Sequence, residues 1–120
     1  MQVALLLAAL ISIAGTTTAA EERFRKLSGA QIRAAFSGME LSDQVHWYEL
    51  FEKSGALLSS SMGRKRMGKW WVEKDELCID DGEDPVKCYE VRVSGNRVQL
   101  RGEYLFPLDA VLRSPTDRGR

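Results

Sequence analysis

The sequence predicts a mainly β (α+β) domain: an antiparallel meander of about six strands, a curled sheet or small partly open barrel, with one short N-terminal helix packed on it. Three observations carry this. After Gly38 the chain is a series of short runs rich in aromatic and branched residues, with turn signals about every ten residues. Only one stretch shows helical periodicity, so no long helix is at hand to cover a parallel sheet. The last two hairpins, read independently, place their apolar residues on one face.

Residues 1–20 read as a secretory signal peptide. Val3 to Ala14 is an uncharged apolar run of 12 residues, short of the roughly 20 that a membrane-spanning helix needs. Thr18-Ala19-Ala20 offers small side chains ahead of Glu21-Glu22, as a signal peptidase requires. Met1-Gln2 lacks the usual positive charge, and a retained N-terminal anchor is the alternative. The expectation is an exported chain, periplasmic or secreted, with no transmembrane anchor after cleavage. Residues 21–113 then form a single β-rich domain, and 114–120, polar with Pro and Gly, a frayed tail.

The helix begins at Ser28, a good N-cap; Ile32, Ala35 and Phe36 fall at i, i+3 and i+4, and Gly38 stands where a left-handed residue ends a helix. So short a helix must dock its Ile32/Phe36 stripe on other structure. The expected strands are Val45–Glu52, Ala56–Ser61, Lys69–Lys74, Leu77–Asp80, Val86–Val93, Arg97–Arg101 and Leu108–Leu112, with Met62–Gly68 as a loop. In Lys69–Lys74 alternation sends Trp70 to the core and Trp71 to the polar face.

Cys78 and Cys88 are the cysteines of a small exported chain and are expected to pair as a disulfide. With Cys78 opposite Cys88, Leu77 faces Tyr89 and Ile79 faces Lys87. A two-residue Gly95-Asn96 turn sets Val93 against Val98 and Val91 against Leu100. Both hairpins then put Leu77, Ile79, Tyr89, Val91, Val93, Val98 and Leu100 on one face and the disulfide on the other.

The run Gly68-Lys69-Trp70-Trp71-Val72, then Leu77-Cys78 and Cys88-Tyr89-Glu90-Val91, resembles small exported proteobacterial domains of unknown function with a G-x-W-x-V, L-C and C-Y-x-V pattern. The resemblance covers roughly residues 28–101. It implies export, a disulfide and a compact β-rich domain, and carries over no catalytic residue.

Catalytic chemistry finds little footing. His46 is the single histidine, and no Gly-x-Ser-x-Gly elbow accompanies it. The acid pairs Glu49/Glu52 and Asp80/Asp81 read as solvated, and Asp80-Asp81-Gly82-Glu83-Asp84 as a hairpin turn, since its spacing does not match an EF-hand loop. No cofactor or metal is expected. Gly63 to Trp71 is the most distinctive stretch: Arg64, Lys65, Arg66 and Lys69 lie within six residues, followed by two tryptophans. Such a cluster suits an anionic envelope component or another exported protein, or it protects a sheet edge; the acidic 80–84 turn is a further partner within the fold. Seventeen basic against 17 acidic residues leave no net charge, so no nucleic acid is expected as partner.

The first expectation is an exported non-catalytic β module, binding or structural in the cell envelope, with Arg64, Lys65, Arg66, Lys69 and Trp71 as its contact residues. The alternative is a lipocalin-like carrier whose apolar cavity would be lined by Trp47, Phe51, Leu57, Trp70, Tyr89 and Val91.

Overall fold

The computed structural model describes residues 23–102 and 108–115. The expected leader (residues 1–20) and most of the expected tail (116–120) lie outside the described residues. The elements are β1 (Arg25–Lys26), α1 (Gly29–Phe36), β2 (Glu40–Ser42), β3 (Trp47–Phe51), β4 (Ala56–Ser61), β5 (Arg64–Glu73), β6 (Glu76–Asp80), β7 (Lys87–Ser94), β8 (Arg97–Arg101) and β9 (Leu108–Arg113). All pairings are antiparallel, in the order β7-β6-β5-β4-β3-β2-β9-β8, and β8 returns to β7. The sheet therefore closes into a small eight-stranded barrel, more strands than the expected meander of about six. β1 pairs with Arg92 and Val93 of β7, continuing the edge that β6 leaves.

Both hairpin registers stand as expected. Leu77 pairs with Tyr89, Cys78 with Cys88 and Ile79 with Lys87; Val91 pairs with Leu100 and Val93 with Val98. Cys78 and Cys88 form a disulfide on the outer wall, with Cα atoms 4.0 Å apart. Trp70 is buried in the core, and Trp71 stands on the outer face opposite Cys78.

Several boundaries differ from the expectation, and β1 is a further strand beyond it. Glu40–Ser42 is a strand that sequence periodicity did not reveal, because three residues are too few to show an alternation. Val45 and Val86 lie outside the strands and are exposed, since the turns at 43–46 and 81–86 are closed by aspartate side chains and claim those positions. The Met62–Gly68 loop is a turn of Met62 and Gly63 alone, both with positive φ (53° and 79°), so Ser61 pairs with Arg64 and the basic stretch belongs to β5.

Helix α1 closes one end of the barrel. Ser28 Oγ accepts the Gln31 amide at 3.3 Å and Gln31 Oε1 accepts the Ser28 amide at 2.9 Å, a reciprocal cap. Asp75 Oδ1, in the β5–β6 turn, accepts the Gly29 amide at 2.8 Å, and a Cβ on Gly29 would collide with the Lys74 carbonyl. At the other end of the helix Gly38 (φ +78°) donates to the Phe51 carbonyl at 2.7 Å. Ile32 and Phe36 are fully buried. Phe36 meets the Phe51 ring edge-on at 5.0 Å, and Phe51 meets Trp70 at 5.5 Å; Trp70 Nε1 donates to the Glu52 carbonyl.

Two expectations follow for stability. Leu41→Ala, which empties the centre of β2, should cost about 2–5 kcal/mol in urea unfolding; a loss below about 1 kcal/mol would show that closure contributes little. The Cys78→Ser/Cys88→Ser double variant should lose about 2–3 kcal/mol, as a short disulfide loop implies, and unchanged unfolding would contradict the staple.

Candidate functional site at the polar barrel mouth

Alternation along the strands decides which side chains reach the barrel interior. Trp47, Glu49 and Phe51 point inward on β3, facing Ser61, Ser59 and Leu57 of β4. Ser59 and Ser61 in turn face Arg66 and Arg64 of β5. On the β3–β5 wall the interior is thus apolar at the helix end and polar at the other. Phe51 and Leu57 are fully buried, whereas the Trp47, Glu49, Ser59, Ser61, Arg64 and Arg66 positions border a cavity of about 150 Å³ together with Asp81.

Gly68 brings Asp81 into this mouth. It is the inward residue opposite Leu57, and a Cβ there would strike the Asp80 carbonyl and crowd the Asp81 backbone. The chain leaving β6 therefore folds over β5 where a side chain would otherwise stand. Asp81 Oδ1 accepts the Glu83 and Asp84 amides at 3.0 and 2.8 Å, and Asp80 Oδ1 accepts the Gly82 amide at 3.0 Å. The acidic run is thus the turn expected of it.

That turn meets the basic stretch. Arg66 Nη1 lies 2.9 Å from Glu83 Oε2 and 4.0 Å from Asp81 Oδ2, and Arg64 Nη2 lies 3.4 Å from Glu83 Oε1. The amides of Asp84 and Glu83, with Arg66 beside them, hold the Asp81 carboxyl below its usual range. The five expected contact residues consequently do not form one patch. Arg64 and Arg66 face the mouth and are ion-paired; Lys65 and Lys69 alternate to the outer wall, where they are exposed; Trp71 is on the outer wall beside the disulfide.

Of the six residues expected to line an apolar cavity, all point inward, but Phe51, Leu57, Trp70 and Val91 are buried against one another and against Ile32 and Phe36. Only Trp47 borders the mouth cavity. The barrel interior at the helix end is filled by side chains.

Glu49 and Ser59 are the residues that sequence reasoning passed over. The sequence reads Glu49 with Glu52 as a solvated pair; in the structure Glu52 sits in the β3–β4 turn and Glu49 points into the barrel. Burial, and next the negative charge of Asp81, push its carboxyl up to about 7. The Ser59 hydroxyl opposite it is buried without a hydrogen-bond partner. The legible signal was a carboxylate at the inward position between Trp47 and Phe51.

Beside the mouth, Asp43 Oδ1 accepts the amides of Val45, His46 and Trp47 at 3.0, 2.7 and 3.0 Å, setting the start of β3. Desolvation opposes ionisation of Asp43, but these amides and His46 outweigh it and keep the carboxyl well below its usual range. His46 Nδ1 lies 3.1 Å from Asp43 Oδ2, and His46 does not border the mouth cavity. Among the described residues the one close group of three metal-ligating side chains is Glu73, Cys78 and Cys88, whose sulfurs are spent on the disulfide.

No protein-family model matches the chain, and no curated protein or solved structure is significantly similar to it.

The raised Glu49 carboxyl has a sign. Its folded form holds a proton that the unfolded chain releases near pH 4.5, so stability from this group is full below that value and is lost as pH rises to about 7. Glu49→Gln, which keeps the shape without the charge, should match the parent near pH 4 and exceed it by on the order of 2–3 kcal/mol above pH 8. Equal urea midpoints for the two proteins at both pH values would contradict this.

Proposed function

We propose that the chain is an exported, non-catalytic β-barrel module that binds another component of the cell envelope through the polar end opposite helix α1. One observation carries the reading: Glu49 and Ser59 face into the mouth without a hydrogen-bond partner among the described residues, while Arg64, Arg66 and Asp81 beside them are paired. Leaving a buried hydroxyl and an enclosed carboxyl unpaired costs stability, a cost that an incoming polar group relieves. The Cys78–Cys88 disulfide is compatible with an oxidising compartment. Among the described residues no helix is long and apolar enough to cross a membrane.

The filled helix end speaks against an apolar carrier, because a ligand there would have to displace Phe36, Phe51 or Trp70. An anionic partner would meet Lys65 and Lys69 on the outer wall, since Arg64 and Arg66 are engaged by Glu83 and Asp81.

A photoreactive side chain placed at Ser61, on the rim of the mouth, and separately at Gln99, on the outer face of β8, tests this in the host envelope. A discrete adduct from position 61 and none from position 99 is expected. Equal labelling from both positions, or none from 61, would overturn the mouth as the binding end, and uptake of a hydrophobic dye by the folded protein would favour the carrier.

A further inference from the structure

Among the described residues five charged side chains meet here, four on the cavity lining and Glu83 in the turn over it. Glu49, Asp81 and Glu83 are acidic and Arg64 and Arg66 basic. Both guanidinium groups are bound to Glu83 or Asp81, and Asp81 also accepts two backbone amides. From β2 the neighbour of Glu49 is Leu41, and from β4 it is Ser59, neither charged. Glu49 and the buried Ser59 hydroxyl are left as acceptors without a partner among the described residues, and once Glu49 is ionised these five groups carry one negative charge in excess.

We propose that the barrel mouth binds a primary ammonium group carried on a short alkyl arm, accepted by the Glu49 carboxylate and Ser59 Oγ beside the Trp47 ring. This rests on the reading of the chain as a binding module and adds its ligand chemistry. An ammonium supplies three donors and one positive charge, matching the two open acceptors and the missing charge. The indole wall adds attraction for a cation at a partly desolvated site. A cavity of about 150 Å³ admits the ammonium and a few carbons of its arm. Both described cations on the cavity lining are already ion-paired with Glu83 or Asp81, which disfavours an anion. A divalent metal fits poorly as well, since hard cations take six to eight oxygens and Glu49 belongs to no close group of three ligating side chains among the described residues.

The ammonium requires the ionised carboxylate. Binding therefore strengthens as pH rises through the Glu49 titration, with Asp81 opposing and Arg64 and Arg66 favouring ionisation, and it falls again where the amine itself loses its proton. Two sources share the chemistry: the aminoethyl headgroup of a lipid and the side-chain amine of a peptide.

The test is titration of the full, oxidised protein followed by amide NMR, using ethylammonium, tetramethylammonium and acetate as probes. Ethylammonium should shift the amides of Trp47, Glu49 and Ser59, with Glu49→Gln weakening it about tenfold or more and Ser59→Ala less. Tetramethylammonium, which has the charge without the donors, and acetate should leave these amides unmoved. Phosphorylethanolamine and an N-acetyl-lysine amide then separate the sources, and the tighter of the two names the occupant. No response to ethylammonium above pH 8, or an equal response in Glu49→Gln, overturns the ammonium site. Should labelling at position 61 succeed despite that result, only the ligand chemistry fails; should both fail, the mouth is not the binding end.

Discussion

Closure of the sheet depends on the pairing of Glu40–Ser42 with β3 on one side and β9 on the other. Leu41 sits at its centre, fully buried, opposite Glu49 and Leu112. Glu40 pairs with Arg113 in register, and its carboxylate accepts Arg113 Nε at 2.8 Å, an almost fully buried acid meeting a half-buried guanidinium. Without these three residues β3 and β9 would both present open edges, and the sheet would remain the curled meander that its turns alone specify. With them the sheet has an inside, and every inward side chain must be either packed or hydrogen-bonded.

The two ends of that inside meet the requirement differently. At one end a two-turn helix, capped by Ser28 and Gln31 and tied to Asp75, lowers Ile32 and Phe36 onto Phe51 and Trp70. At the other the described residues supply no helix, and the inward positions of β3 to β5 carry Glu49, Ser59, Ser61, Arg64 and Arg66. Gly68 lets the acidic turn fold across this opening and neutralise the arginines. The balance stops short of Glu49. An enclosed carboxyl facing a negative neighbour holds its proton, and that unpaired group distinguishes the mouth from an ordinary capped barrel end.

Much of the fold was legible in the sequence because its signals are local. The Gly95-Asn96 turn and the cysteine pair each set a register, and two registers that agreed on one apolar face left little freedom for the strands between Leu77 and Arg101. Ser28, the Ile32/Phe36 stripe and Gly38 likewise marked the helix from within a few residues. Barrel closure was not legible, because it joins residues 40–42 to 111–113 through a strand too short to show periodicity. The basic stretch misled for a related reason: four cations suggest a solvated loop, yet alternation in a strand sends Arg64 and Arg66 to one face and Lys65 and Lys69 to the other. Glu49 could have been found by extending the Trp47-x-Glu49-x-Phe51 alternation one step further, since a carboxylate on an apolar face asks for an explanation. The burial that raises it follows from barrel closure, and the Asp81 charge that adds to it comes from a distant part of the chain.

The most direct test of the account is a site-resolved NMR titration of the Glu49 side-chain carboxyl in the folded protein. The closed barrel, with Asp81 brought over the mouth by Gly68, predicts a midpoint near 7, falling toward the usual range when Asp81 is replaced by Asn. A midpoint near 4.5 in the parent, the value of a solvated glutamate, would mean that Glu49 is not enclosed, and the polar mouth as described would not exist.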